Sequence, residues 1–361
     1  MKQTILHIKH IRLKAKMADY QGWQMPQQYA EVHEEYHAVR DAAGLFDVSC
    51  LGRIEVTGSG AEDFLQKIVT YNLVKIPEKS VQHCLICNDA GFILDDILLF
   101  RLPASRSSGN RFLLSTSAGN VDKTLNWLKQ RAGDDVKIID QTQTFAQLSL
   151  QGPNSAKVLA HLAGQQFKKF KRAQVREMLL LDTNMIVSRS GYTGEHGYEL
   201  IVPADHAEAL WDALLRLDGV VPCGFASRNI LRIEMGFLMY GQDIDETHTP
   251  IEANLTSLVD FNKDFIGKDA LQKLKTEGMK QKLAGFILLD KNMPKCGGSI
   301  FSESREIGRV TSCGTSPRFR NGIGLGYVTN RYAQLGQEIE VEIRDKEVTA
   351  RVVELPFYRK K

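Results

Sequence analysis

The chain of 361 residues is 43% hydrophobic and 25% charged with a net charge of +3, an ordinary globular composition with enough apolar material for two or three cores. Basic residues are scattered among nearly as many acids except in FKKFKR (Phe167 to Arg172), which reads as a solvated loop able to steer an acidic ligand, so no nucleic-acid partner is expected. No window has the continuous apolar run of a signal peptide or a membrane span, and six cysteines in so long a chain do not form a disulfide framework, so neither secretion nor a membrane association is expected and a reducing cytoplasm fits best.

Near the N-terminus, Arg53 to Val69 (RIEVTGSGAEDFLQKIV) reads as an alternating strand, a glycine turn at Gly58 and an amphipathic helix. VQHCLICN then reads as a buried strand. Its Cys84 and Cys87 have neither the second ligand pair of a zinc site nor the helix start of a redox pair, and no metal site is expected. Strands follow at Ile97 to Leu102 and Arg111 to Thr116, separated by the loop PASRSSGN at Pro103 to Asn110, and a helix at Val121 to Arg131. The first unit then recurs at Ala146 to Leu162 (AQLSLQGPNSAKVLAHL), with Gly152 in the place of Gly58. Strands at Met178 to Leu181, Met185 to Arg189 and Tyr198 to Val202 and a helix at His206 to Leu217 complete this region. Strands and helices mix without βαβα alternation, which predicts an α+β fold with two related halves. After a connecting segment near Asn262 to Lys282, short alternating strands such as IEVEI and VTARVVEL, with turns at Cys296-Gly297-Gly298 and Gly308, predict a C-terminal β barrel or sandwich.

Four stretches carry more glycine, aromatic and charged residues than packing asks for. In CNDAGFILDDILL (Cys87 to Leu99) adjacent Asp95 and Asp96 must face opposite sides of a strand, so one carboxylate faces a core or pocket. That makes it a site candidate, with strand-start capping as the alternative. In SRSGYTGEHGYEL (Ser188 to Leu200) glycines at 191, 194 and 197 let the backbone fold closely around a flat ligand, and Tyr192, Glu195 and Glu199 suit a nitrogen-rich heterocycle better than a phosphate. CGFASRNILRIEMGFLMYGQDIDE (Cys223 to Glu246) reads as a helix whose Arg228 and Arg232 share a face, one pairing with Glu234 or Glu199 and the other reaching a ligand, or both serving an ion-pair network. GRVTSCGTSPRFRNGIGLGYV (Gly308 to Val328) is mostly barrel turns, with Arg318 and Arg320 meeting an anionic tail or solvent.

Taken in order, KAKMADYQGWQMPQQY, GLFDVS, LDD, GYTGEHGYE, MYGQDIDE, TSCGTSP and the terminal PFY resemble the aminomethyltransferase family, the T-protein of the glycine cleavage system, over essentially the whole chain. The resemblance implies two intertwined ferredoxin-like α+β domains with a C-terminal β-barrel or jelly-roll domain around a folate channel. Residues 1–52 with 140–262 would form the folate-binding domain, 53–139 the second α+β domain and 283–361 the barrel. It implies transfer of a methylene carbon from the aminomethyl-lipoyl group of lipoylated H-protein to tetrahydrofolate, with release of ammonia. Carried over by motif, Asp96 is the catalytic aspartate beside the folate nitrogens, Glu199 and Arg228 contact the pterin, and Tyr192 and Glu195 lie close by. Four positions depart from the family pattern: Cys50 replaces a common His, His83 a Tyr, Asn229 an Asp, and Phe237 an aromatic hydroxyl. His83 and Phe237 are expected along the folate channel. Two other readings on the same fold are a folate-dependent demethylase and a non-catalytic folate-binding protein of iron-sulfur assembly. The latter carries a reactive cysteine where this chain has Leu238 and Met239.

Overall fold

The computed structural model describes residues 1–105, 109–164, 167 and 169–359. Residues 106–108 of the expected PASRSSGN loop and Lys168 of the basic run lie outside the described residues. The chain divides into two compact bodies, Met1–Ile86 with Asp95–Arg228, and Cys87–Leu94 with Asn229–Lys361.

Among the described residues the first body is α+β and holds, besides the hairpin of Lys16–Tyr20 with Trp23–Gln28, two larger sheets. One has five strands in the order Ser80–Cys87, Ile93–Ser105, Gly109–Thr116, Gly52–Gly58 and Lys137–Asp140. The other has six, in the order Val175–Leu180, Thr183–Ser188, Gly197–Pro203, Phe145–Gln151, Ala43–Asp47 and Val220–Pro222, antiparallel except for the last pair. The expected repeat is present: Gly52–Gly58 leads into helix Ala61–Ile68, and Phe145–Gln151 into helix Ser155–Ala163. Its glycines are required. Gly58 and Gly152 sit at φ 122° and 135°, and a Cβ would lie 2.1 Å from the Asp135 carbonyl oxygen in one and 2.4 Å from that of Ala42 in the other. In the first helix Ala61, Leu65 and Ile68 are buried at helical spacing, while Glu62 and Asp63 stand at the positive end of the helix dipole and Lys67 at the negative end.

Val81, Phe100, Leu102 and Leu113 from the five-stranded sheet share a core with Val175 and Ile201 from the six-stranded one. A larger core lies under the six-stranded sheet, where Leu148, Leu150, Tyr198 and Leu200 meet Trp211 and Leu159 from the covering helices. The expected loop at Pro103 to Asn110 is shorter than its composition implied, because the flanking strands run to Ser105 and start again at Gly109. The basic run is also more than a solvated loop: Lys169, Lys171 and Arg172 are exposed, but Phe167 and Phe170 are buried against Tyr198.

The second body contains a closed six-stranded barrel, ordered Gln281–Leu288, Gly322–Thr329, Arg305–Thr315, Ser299–Ser302, Glu338–Ile343 and Lys346–Val353. In Glu338–Ile343 the isoleucines and valine point inward and the glutamates outward, the period-two pattern of a half-buried strand. The turn expected at Cys296-Gly297 is present. Gly308 is not a turn residue. It lies inside Arg305–Thr315 opposite Val328, beside a bulge in the pairing with Ser299–Ser302, and is glycine because a Cβ would press on the Tyr327 carbonyl oxygen at 1.9 Å. The expected connecting segment contains a helix, Lys268–Glu277, whose Leu271 packs with Ile251 and Phe265. No helix of the described residues is long and apolar enough to cross a membrane.

Candidate active site

Strand parity decides the Asp95–Asp96 pair. Asp95 is fully buried and accepts hydrogen bonds from the backbone amides of Asp96 (2.9 Å) and Ser117 (3.4 Å), from Asn120 Nδ2 (3.1 Å) and from Thr124 Oγ1 (2.8 Å). Burial nevertheless dominates and pushes its carboxyl up to about 6. Asp95 thus anchors the strand, and Asp96 is left on the opposite face. There its carboxylate pairs with Nε2 of His83 on the neighbouring strand, with side chains 15% and 39% exposed. Desolvation opposes the imidazolium, but the charge of Asp96 and the hydrogen bond to it together outweigh that cost and hold His83 above its ordinary value.

A second cluster forms at the Gly197–Pro203 strand, where Glu199 pairs in register with Ser149 on one side and Ser188 on the other. Its carboxylate is 3% exposed, accepts a hydrogen bond from Ser190 Oγ at 2.9 Å and is shifted upward by burial against the opposing influence of Ser190 and Arg228. The Arg228 guanidinium, on a residue 8% exposed, lies 4.5 Å from the Tyr192 ring and 5.4 Å from that of Phe225, which itself meets Tyr20 at a tilt with ring centroids 3.9 Å apart. Arg228 thus links the buried acid, whose charge it favours, to the Tyr192 and Phe225 faces, with Tyr20 against Phe225. Beneath Tyr20 and Phe225 lie Trp23, Met25 and Cys50. Cys50 is buried, and desolvation raises its thiol to about 12, so it packs rather than reacts.

Two of the three glycines of the GYTGEHGYE loop have a packing role within the protein. A Cβ on Gly191 or Gly197 would lie 2.0 or 2.2 Å from the Gln151 side chain, so both make room for that amide. Gln151 in turn donates to the Ser190 carbonyl (3.1 Å) and accepts from Thr193 Oγ1 (3.0 Å), fixing the loop on either side of Tyr192. Glu195 belongs to the same scaffold: its side chain is buried in an ion pair with Arg40 Nη1 at 3.2 Å, and Arg40 also donates to the Thr193 carbonyl at 2.6 Å. Its carboxylate is thus engaged by the protein and not directed at a heterocycle.

The arginines of the Phe225–Glu234 helix separate in role. Arg232 is fully buried and makes an ion pair with Asp243 at 2.5 Å, with further bonds to Ser312 Oγ (2.6 Å) and Asn229 Oδ1 (2.9 Å). Asp243 also accepts from Thr311 Oγ1 (2.6 Å) and the Met239 amide (2.9 Å). The YGQD and TSCGTSP motifs are therefore two halves of one structural lock, and Arg232 pairs with neither Glu234 nor Glu199. Glu234 is bonded instead by Ser316 Oγ. Phe237 lies in the second body, where its backbone carbonyl accepts from Arg232 Nη1 at 3.0 Å. Arg318 sits over the Tyr358 ring at 4.9 Å. Among the described residues no cluster of three or more metal-ligating side chains occurs.

Sequence reasoning missed Tyr20 and Phe225, whose pairing links residues 205 positions apart and leaves no periodic trace. It also missed the role of Asp47 in the GLFDVS motif. Buried Asp47 accepts from Thr4 Oγ1 (2.7 Å) and the Ser49 amide (2.8 Å) and pairs with His10 Nε2 at 2.9 Å, while Tyr29 Oη meets His10 Nδ1 at 2.8 Å. A charged residue within an otherwise apolar run, LFDV, at the end of strand Ala43–Asp47, was the available signal.

An α+β body with an acid–arginine–aromatic cluster, together with a closed barrel, defines a class that comparison makes specific. The GCVT N-terminal domain matches residues 6–263 and the glycine cleavage T-protein C-terminal barrel domain residues 281–359. Similar proteins include an aminomethyltransferase of Halothermothrix orenii strain H 168, 39% identical over 99% of this chain and 100% of its own, and one of Geobacillus sp. strain WCH70, 38% identical over 100% and 99%. The crystal structure of glycine cleavage system aminomethyltransferase T from Bartonella henselae superposes with a TM-score of 0.92 at 33% identity, covering 99% of this chain and 98% of that one. The chain belongs to the aminomethyltransferase family, the T-proteins of the glycine cleavage system, and is accordingly a transferase. Members of this family are folate-dependent.

Proposed function

We propose that Glu199 and Arg228 hold the pterin of tetrahydrofolate, and that Asp96 assists transfer of a methylene carbon to it from the aminomethyl-lipoyl group of H-protein. The observation that carries this reading is the buried Glu199 carboxylate under the charge of Arg228, whose guanidinium lies over the Tyr192 ring. A pterin presents a 2-amino group and an N3–H side by side, a two-donor edge that a carboxylate accepts with both oxygens, and a flat face that suits the Tyr192 ring. Burial makes the Glu199 charge costly unless donors meet it, and that is the condition for a strong, specific bond to the ligand.

In the reaction the carbon–sulfur bond to the lipoyl arm and the carbon–nitrogen bond to ammonia break, and the carbon becomes bridged between two folate nitrogens. Ammonia and the reduced lipoyl thiol leave. Positive charge develops on the carbon as it is released, and a fixed carboxylate nearby lowers that barrier without taking a proton. Asp96 is suited to the task because Asp95 pins its strand from the other face and His83 fixes the orientation of its carboxylate. His83 is then a positioning residue for Asp96, where the family commonly has Tyr. Titrating tetrahydrofolate against the wild-type protein and Glu199→Gln, followed by intrinsic fluorescence, tests the pterin assignment. The variant is expected to bind about 1–3 kcal/mol more weakly, the scale of a lost charged hydrogen bond. Unaltered affinity would place the pterin elsewhere.

A further inference from the structure

Six cysteines are present, and four of them, Cys50, Cys84, Cys87 and Cys223, are buried. The other two meet on the barrel. Cys296, in the turn before strand Ser299–Ser302, is exposed, and its Sγ lies 2.9 Å from that of Cys313 in strand Arg305–Thr315. The backbone holds them in place, since the Gly297 amide donates to the Val310 carbonyl (2.7 Å) and the Val310 amide to the Gly298 carbonyl (2.9 Å). A bond between the two sulfurs needs a separation of about 2.05 Å, so they are less than ~1 Å from bonding distance. We propose that Cys296 and Cys313 are a hydroperoxide-sensitive dithiol that closes to a reversible intramolecular disulfide on the barrel.

The chemistry assigns different parts to the two thiols. The hydrogen bond from Cys313, helped by the Arg232 charge and opposed by burial, lowers the Cys296 thiol to about 7, while the same bond raises Cys313 far above the ordinary thiol range. Cys296 is the more exposed of the two, so it is the thiolate that a peroxide from solvent meets first, with Cys313 behind it as the resolving thiol. Gln242 Nε2, which donates to the Thr311 carbonyl at 3.1 Å, stands 3.8 Å from the Cys296 sulfur as a further donor. Exposed Cys296 attacks the terminal oxygen of a hydroperoxide, the O–O bond breaks, and one water or alcohol leaves with a sulfenic acid formed on Cys296. Cys313 then displaces the hydroxyl as water, forming the S–S bond. Two electrons pass from the two sulfurs to the peroxide; the Cys313 proton leaves in the water displaced from the sulfenic acid, and the departing hydroxide or alkoxide takes a proton from solvent. Thiol–disulfide exchange with a small thiol reverses the step.

Peroxide treatment of the full chain, then alkylation, tryptic digestion and mass spectrometry test the proposal. Cleavage after Lys295 and Arg309 gives CGGSIFSESR and VTSCGTSPR. The expected product is these two peptides joined with the loss of two hydrogens, with a fall from six titratable thiols in the unfolded reduced chain to four after oxidation, fully restored by dithiothreitol. In Cys313→Ser, Cys296 should instead be trapped by dimedone as a sulfenic acid. Six alkylated cysteines after treatment, or oxidation of wild-type Cys296 to sulfinic acid with no joined peptide, would overturn the proposal.

Discussion

The proposed site centres on the Asp96 and Glu199 carboxylates, and the setting of Asp96 depends on its neighbour Asp95. Asp95 takes the buried face of its strand and four hydrogen bonds with it, which leaves Asp96 on the opposite face, paired with His83. Parity along the DD pair was enough to predict that the two carboxylates would part ways. The identity of the partner was not legible, because His83 reaches Asp96 from another strand and strand registers are set by tertiary pairing. Glu195 shows the converse: an acid in a glycine-rich loop has the same appearance in sequence whether it meets a ligand or, as here, Arg40. The His83–Asp96 pair carries a pH signature. His83 binds its proton more tightly folded than at its ordinary value of 6.5, so the folded state holds the extra proton and the pair's contribution is complete below that pH. It is lost as pH rises through the raised folded value. Urea unfolding of wild type and His83→Phe should therefore show a stability gap at about pH 6 that narrows by about pH 9. A gap of equal size at both values would remove the imidazolium from the account.

Among the elements, the helix Phe225–Glu234 is the most informative, since one face pattern serves two purposes. The sequence placed Arg228 and Arg232 on one helical face and left binding and ion pairing open for both. Arg228 stacks on Tyr192 and Phe225, while Arg232 is enclosed by Asp243, Ser312 and Asn229. What separated them was the depth of each residue among partners far along the chain, which helical periodicity does not encode. Strand and helix existence was readily legible where apolar periodicity was strong, as in the repeat that begins at Gly52 and Phe145. Gly308 was misread because a glycine that clears a neighbouring carbonyl and a glycine that makes a turn look alike in one dimension. The buried lock makes a firm prediction. Arg232→Met leaves Asp243 charged and unpaired inside the protein and should lower unfolding free energy by about 3–5 kcal/mol in guanidinium titrations followed by circular dichroism. A loss below about 1 kcal/mol would show that Asp243 is held by its hydroxyl donors alone.

At the scale of the whole molecule, the order of motifs said more than any one of them. Each of LDD, GYTGEHGYE and MYGQD has a local structural explanation, respectively a strand anchor, room for Gln151, and the partner of Arg232. Their succession along the chain identified the family, and the matched domains and the 0.92 TM-score bear that out. The family fixes aminomethyl transfer as the activity, and the central claim is that Asp96 promotes that transfer without being needed for folate capture. Single-turnover release of ammonia from aminomethylated H-protein, measured with saturating tetrahydrofolate in wild type and Asp96→Asn, tests it most directly. Wild type should release one ammonia per methylene carbon transferred, and the variant should be slower by roughly 10²–10³, the scale of losing one preorganised electrostatic group, at unchanged folate affinity. Equal rates in the two proteins would contradict the account.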